Sequence, residues 1–339
     1  VRRIAFGGGS PNAIAPTDFV RLVDALTLHV SLDDPVLSIE LDPRTLTPEW
    51  GQVLGGIGVS HASMGVQTFQ PELQAAIGRI QPDALIVSAT EMLRKAGVAS
   101  LNYDLMYGLP GQTMDHLEAT LARAIELGAD RIALFGYAHV PHMLPRQRRI
   151  DASALPGQDA RFAMAEYGYR RLVEAGYVPI GFDHFALPGD PMAIAASQGR
   201  VRRNFQGFTD DQAETLVGLG ASAISCFANL LVQNEKNAGR YRMLLSQDLL
   251  PAALGVTRDR EDRRRGAVIE ALLCRGEAEL EPALRAEAGG RLGVFIERGL
   301  ARIEGNRLTI APEALPYART IAALFDPYRQ DSLRRFSSA

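Results

Sequence analysis

The chain has 339 residues, 47% hydrophobic and 22% charged, with a formal net charge of -3 at pH 7 and a mean hydropathy of -0.03. That is the composition of a soluble globular protein with one large α/β domain and an appendage, or two ordinary domains, and it lacks the basic footprint of a dedicated nucleic-acid binder. No apolar run is long enough to span a membrane, no export signal opens the chain, and Cys226 and Cys274 are too few and too far apart for a disulfide framework or a metal site; a reducing cytoplasm is the expected setting.

An apolar strand, Ile4–Phe6, runs directly into Gly7, Gly8, Gly9, Ser10 and Pro11. Residues without a Cβ let backbone N–H and C=O groups approach a bound molecule, so the segment reads as a ligand cradle or, failing that, as a tight turn. A helix follows, with Thr17 as its expected N-cap and Phe19, Val20, Leu22, Val23 and Leu26 on its apolar stripe. Further strands are expected at Val36–Leu41, Ala62–Val66, Ser100–Met106, Arg131–Tyr137 and Val178–Phe185. Between them, one helix runs over Asp83–Lys95 to a left-handed cap at Gly97, and another from about Thr113 to Gly128. This alternation predicts parallel strands joined by helical crossovers, hence an α/β sheet or barrel.

Beyond about residue 245 the pattern turns to helices and a basic stretch, with a hairpin at Ala301–Ile310 turning at Gly305 and Asn306. The expected division is a domain over 1–245 and a small, mostly helical, winged-helix-like domain over 246–339. Nearly all the cations are arginine, and clusters such as Arg146–Arg149 and Arg258–Arg265 read as solvated faces.

In barrels of this kind the functional groups stand at the C-terminal ends of strands. There the sequence places Gly7–Ser10, Glu40 and Asp42, Gln67, Asp104, Tyr137 and His139, then Asp183 and His184. Asp42, before Pro43, also reads as a turn former. Carboxylates for hydroxyls and an ammonium, Gln67 for hydroxyls or a base, and Arg79 for a carboxylate suit an adenosine-like ligand carrying an amino acid. The glycine loop has neither the lysine of a P-loop nor the spacing of a dinucleotide fingerprint.

The blocks FGGGSP (Phe6–Pro11), SIELDP (Ser38–Pro43), SMGVQTF (Ser63–Phe69), NYDLMYGLPGQT (Asn102–Thr113), FGYAHVP (Phe135–Pro141), GFDHFALPGD (Gly181–Asp190), RNFQGFT (Arg203–Thr209) and GLGASAIS (Gly218–Ser225) resemble the oxygen-independent coproporphyrinogen III oxidase family of radical S-adenosylmethionine enzymes. The resemblance covers essentially the whole chain. It implies a partial (β/α) barrel with a 4Fe-4S cluster and two S-adenosylmethionines per active site. It further implies that Gly8, Gly9, Ser10, Glu40, Gln67, Arg79, Asp104, Ala138 and Ile224 match S-adenosylmethionine contacts, with Ser10 replacing a more usual threonine. The implied reaction converts two propionates of coproporphyrinogen III to vinyl groups through a 5′-deoxyadenosyl radical, giving protoporphyrinogen IX. Its implied partners are that substrate, an electron donor for the cluster and an electron acceptor, with no nucleic acid and no membrane; a monomer is expected. No catalytic side chain is assigned; Arg203, beside Asn204, is one candidate for a substrate propionate.

In the family the cluster is held by a C-x-x-x-C-x-x-C motif upstream of the glycine segment, where this chain has only Val1, Arg2 and Arg3. Clusters of this kind are held by cysteine sulfur, so the chain is expected to lack the cluster ligands, with Cys226 and Cys274 as structural residues. Truncation, a gene model begun at an internal start, and a true cluster-less relative compete; retention of every matched contact favours truncation. Without a preceding strand the edge of Ile4–Phe6 would be unpaired, which predicts lower stability or self-association. The competing function is a haem-binding chaperone of the same superfamily. Its H-N-x-x-Y-W motif is not matched around Trp50, the one tryptophan, although His139 and His184 remain possible haem ligands.

Overall fold

The computed structural model describes residues 1–329, which form two compact units, Val1–Ile194 and Ala195–Arg329. Residues 330–339, the end of the expected C-terminal domain, lie outside the described residues.

The first unit is built on strands β1 (Arg3–Phe6), β2 (Val36–Leu41), β3 (His61–Gln67), β4 (Ser100–Tyr107), β5 (Arg131–Gly136), β6 (Val178–Ile180) and β7 (His184–Ala186). They form one open sheet in the order β1-β2-β3-β4-β5-β7-β6, with β1 to β5 all parallel. The crossovers carry helices α1 (Pro16–His29), α2 (Pro48–Ile57), α3 (Pro71–Ala76), α4 (Asp83–Lys95) and α5 (Met114–Glu126); α6 (Gln158–Glu174) follows β5. The partial α/β barrel expected from the sequence is therefore present as an unclosed sheet.

Strand residues alternate between faces. On one face Leu37, Ile39 and Leu41, Met64 and Val66, Leu101, Tyr103 and Leu105, and Ile132 and Leu134 bury themselves against Phe19 of α1, Trp50 and Leu54 of α2, Ile86 and Leu93 of α4, Leu117 and Leu121 of α5, and Met164 and Leu172 of α6. Burying each large apolar side chain stabilises the fold by roughly 1.5–3 kcal/mol. The Phe6 and Phe19 rings meet edge to face at 4.8 Å, which ties β1 to α1. Thr113 caps α5 through its hydroxyl, Gly97 takes the expected left-handed conformation after α4, and Gly128, the expected end of α5, is left-handed as well.

Two expectations are corrected. The N-cap of α1 is Ala15, not Thr17, because Pro16 occupies the first helical position, where its fixed φ is favourable and its missing N–H costs nothing. The run Val178–Phe185 is not a single parallel strand. It reverses at Gly181 (φ 62°) into the antiparallel pair β6 and β7, and β7 also runs antiparallel to β5.

Helix α7 (Pro191–Ser197) runs across the junction of the units. In the second unit, β8 (Arg202–Asn204) and β9 (Gly207–Thr209) form a hairpin, and β10 (Ile224–Phe227), β11 (Leu230–Asn234) and β12 (Ala252–Thr257) form an antiparallel sheet with α8 (Ala238–Ser246) between its last two strands. The expected division at 245/246 falls inside α8, and the β11–β12 pairing continues across it. Helices α9 (Arg260–Arg275), α10 (Pro282–Glu297) and α11 (Ala318–Ala322) accompany a sheet of β13 (Glu277–Glu279), β15 (Arg307–Ile310) and β14 (Ala301–Glu304), whose β14–β15 turn is at Gly305 and Asn306 as expected. Within the basic stretch, Arg264 pairs with Glu261 and Glu281, and Arg265 with Glu261 and Glu287.

Candidate functional site

A parallel sheet in an α/β protein is normally apolar on both faces. Here the face opposite the helices is polar: it carries Ser38 and Glu40 on β2, Ser63, Gly65 and Gln67 on β3, and Asn102 and Asp104 on β4. Register aligns Glu40 with Ser63 and Ser63 with Asn102, while Gly65, Asp104, Ala133 and His184 form a second row across four strands. The parallel direction puts the β1–β5 exits at one end of the sheet.

At the β1 exit the Gly8 N–H donates to Glu40 Oε2 at 3.4 Å. Gly8 has φ +85°, and a Cβ at Gly8 or Gly9 would meet nothing within 4 Å, so the loop is open on that side. Ser10 is exposed, precedes the 3-10 turn Pro11–Ala13, and makes no capping bond with its hydroxyl. Buried Asn12 anchors the loop: its amide donates to Asp42 O (2.7 Å) and Thr45 Oγ1 (2.9 Å), and its Oδ1 accepts from Asp42 N at 3.1 Å. Asp42 is the turn former at the β2 exit, accepting from Arg44 N and from the Arg44 guanidinium. Burial alone would raise its pKa, but the Arg44 hydrogen bonds and the charges of Arg79 and Arg44 hold it below the usual carboxylate range.

The β3 exit is strained. Register shifts between Gly65 and Gln67, and Gln67 adopts φ +68°, a left-handed conformation that costs a non-glycine residue on the order of 1–3 kcal/mol. Gln67 Oε1 is buried without a hydrogen-bond partner among the described residues, an uncompensated cost of roughly 1–3 kcal/mol more. Beside it, Arg79 donates from Nη2 to Gly65 O at 3.0 Å and from Nε to Gln81 Oε1 at 3.0 Å, and its Nη2 lies 3.7 Å from Asp42 Oδ1. A Cβ at position 65 would sit 2.9 Å from Arg79 Nη2 and 3.0 Å from Gln67 Nε2, so only glycine allows this approach. Burial disfavours the Arg79 cation, opposed by the Asp42 charge.

On β4, Asp104 accepts from Ser63 Oγ at 3.1 Å and from Asn102 Nδ2 at 2.7 Å, and the same Asn102 amide donates to Ser63 Oγ at 2.9 Å. Burial pushes the Asp104 carboxyl up to about 6, against the lowering effects of the His184 charge and the Ser63 and Asn102 hydrogen bonds, with Glu40 raising it further. A cation bound at this face would favour the ionised form of Asp104 and lower its pKa. Asn102 Oδ1 is a second buried acceptor without a partner among the described residues. His184 Nδ1 lies 2.6 Å from Asp183 Oδ1, with the Phe135 ring edge-on at 5.4 Å.

At the β5 exit Ala138 is exposed, and its carbonyl accepts from the buried Gln147 amide at 3.0 Å. Tyr137 OH and His139 Nδ1 are 3.2 Å apart. The structure thus joins Gly8 to Glu40, Gln67 to Arg79 through Gly65, and Asp104 to the same face, with Gly9, Ser10 and Ala138 at the same sheet end. Ile224 opens β10 in the second unit.

Ser63, Gly65, Asn102, Gln74 and Gln81 were not singled out by the strand-exit reasoning. The available signal was period-2 polarity inside β3 and β4, where a parallel strand should be apolar on both faces. As a set, two carboxylates, one underused cation, open glycine backbone and two stranded acceptors suit a ligand that carries an ammonium, a carboxylate and hydroxyls.

Comparison with known proteins gives a consistent picture. The family model described as the Radical SAM superfamily matches residues 1–124. The chain is 41% identical over 338 residues to an oxygen-independent coproporphyrinogen III oxidase of Bradyrhizobium diazoefficiens, covering 97% of this chain and 75% of that one. It is 36% identical to the enzyme of that name from Pseudomonas aeruginosa, over 97% of this chain and 74% of the relative. Among solved structures, coproporphyrinogen III oxidase from Escherichia coli, described as a radical SAM enzyme, is similar with a TM-score of 0.91 and 32% identity over 97% of this chain and 78% of that one.

Proposed function

The chain belongs to the oxygen-independent coproporphyrinogen III oxidase family of the radical SAM superfamily, and we propose that the polar face of its first unit binds S-adenosylmethionine for the oxidative decarboxylation of coproporphyrinogen III. The family's activity is that of an oxidoreductase of haem biosynthesis, and its shared names and fold support this and not a haem-delivering chaperone.

The residues present fit S-adenosylmethionine. Gln67 carries the reading: its backbone is strained and its Oε1 is stranded, beside a half-buried arginine with donors to spare, and a ligand that hydrogen-bonds to that oxygen relieves a cost the free protein bears. In the proposed assignment Glu40 and Asp104 take hydroxyl or ammonium groups, Arg79 takes a carboxylate, and the open Gly8, Gly9 and Ser10 backbone admits the ligand's close approach. Ala138 joins this set, which is proposed to serve two S-adenosylmethionines; Ile224, in the second unit, is assigned to them only by the resemblance of its sequence block. When bound, and cleaved by one electron from the proposed electron donor, S-adenosylmethionine would supply the hydrogen-atom abstraction that the reaction needs. Each propionate then loses one hydrogen atom, one electron and carbon dioxide to become a vinyl group. The chain's own part is to hold and orient the ligand's charged groups.

The family's other cofactor is a 4Fe-4S cluster, which needs converging thiolates. The 339 residues carry two cysteines, both in the second unit: Cys226 is half-buried, and burial pushes the Cys274 thiol up to about 12. Among the described residues no group of three His, Cys, Asp or Glu side chains is placed to hold a metal. These residues do not fit the cluster.

The proposed partners are an electron donor and an electron acceptor, for a monomer working in the cytoplasm. No helix among the described residues is long and apolar enough to cross a membrane. Equilibrium dialysis of the chain against labelled S-adenosylmethionine, with and without coproporphyrinogen III, tests the reading. Saturable binding that Glu40→Ala and Asp104→Ala each weaken supports it. Absence of binding, or binding indifferent to both substitutions, contradicts it.

A further inference from the structure

Arg79 has five N–H donors, of which Nε goes to Gln81 and Nη2 to Gly65 O and towards Asp42; Nη1 has no protein partner among the described residues. What fixes the guanidinium so that Nη1 is the end left over is Gln81. Its side chain, fully buried, accepts from Arg79 Nε through Oε1 (3.0 Å) and donates through Nε2 to Gly65 O (3.2 Å) and Val66 O (2.8 Å). The amide has one workable orientation, because Arg79 Nε can only donate and the two carbonyls can only accept.

Gln81 is in turn gripped by a second buried glutamine. Gln74 Oε1 accepts from Gln81 N at 2.8 Å, and Gln74 Nε2 donates to Gln81 O (2.7 Å) and to Thr68 O (2.9 Å). The pair spans the turn between α3 and α4 and holds both products of the β3 bulge: the strained peptide that presents Gln67, and the arginine behind it. A pair serving only to staple the loop has no need of the bond to Arg79.

We propose that Gln81 is a positioning residue, held by Gln74, that sets Arg79 to receive the carboxylate of the bound S-adenosylmethionine. The inference rests on the reading of this face as an S-adenosylmethionine site. It makes Gln81 act through Arg79, so its removal weakens recognition of the ligand's carboxylate while leaving recognition of the adenosine part largely intact.

The test compares the affinity of the chain for S-adenosylmethionine and for its decarboxylated analogue by titration calorimetry, in the unaltered protein, Q81A and Q81E. The glutamate variant changes a single atom, places an oxygen against the Gly65 and Val66 carbonyls, and is the variant read if Q81A melts early. Preference of the unaltered chain for the carboxylated ligand, reduced about tenfold in the variants with less than about twofold change for the analogue, is the expected result. Variants that keep the full preference overturn the role of Gln81 and leave the site assignment standing. Failure of the unaltered chain to bind either ligand overturns both.

Discussion

Gly7 passes the Glu40 carboxylate so closely that a Cβ at position 7 would lie 2.8 Å from Glu40 Cδ and 2.9 Å from Oε2. The Glu40 carboxylate is the end of an exposed, flexible side chain, so it can swing away from an added methyl. Gly7→Ala should therefore change the unfolding free energy by only about 0.5 kcal/mol, as surface changes do. It should nevertheless lower S-adenosylmethionine affinity about tenfold, the size expected for losing one charge-assisted contact. Denaturant titration and ligand titration on the same preparation separate the two effects; a large loss of stability with affinity retained would count against this role for Glu40.

Asp104 makes a pH prediction with a definite sign. Its folded pKa, pushed up to about 6, stands above the ordinary aspartate value of 3.8, so the folded state binds the proton more tightly. Its contribution to stability is full below about pH 3.8 and is lost as pH rises through about 6, by at most about 3 kcal/mol. Asp42, with a lowered pKa, works in the opposite sense, its contribution being lost as pH falls. The Asp104→Asn variant should gain stability relative to the unaltered chain between pH 4 and pH 7, measured without ligand by urea unfolding; a constant difference across that range would show that Asp104 titrates normally.

The helical face is sensitive to cavities. Leu93 of α4 is fully buried within the core that backs the polar face. Leu93→Ala should cost about 2–5 kcal/mol. Thermal and denaturant unfolding should both report the loss, and a cost under about 1 kcal/mol would mean that the packing of α4 on the sheet is looser than described.

Much of the site was legible because strand exits announce themselves: an apolar run ending at Gly7, at Glu40 or at Gln67 leaves a polar group where parallel strands converge. Sequence reasoning found those ends and the caps at Gly97 and Gly128, since local rules decide them. It placed the N-cap of α1 at Thr17 because the hydroxyl is a good acceptor, whereas the fixed φ of Pro16 sets the helix start. It joined Val178 to Phe185 because the run is apolar, whereas Gly181 lets the chain reverse within it. Ser63, Asn102, Gln74 and Gln81 stayed hidden for another reason. A glutamine or serine is unremarkable in sequence, and only strand register and burial show that these four hold Asp104 and Arg79 in place.

A crystal structure of this chain grown with S-adenosylmethionine tests the central claim most directly. The ligand is expected at the C-terminal end of the polar face, with an atom within hydrogen-bond distance of Gln67 Oε1 and its carboxylate on Arg79 Nη1. Ligand bound away from Gly8, Glu40, Gln67 and Asp104, or Gln67 Oε1 still without a partner in the complex, would contradict it.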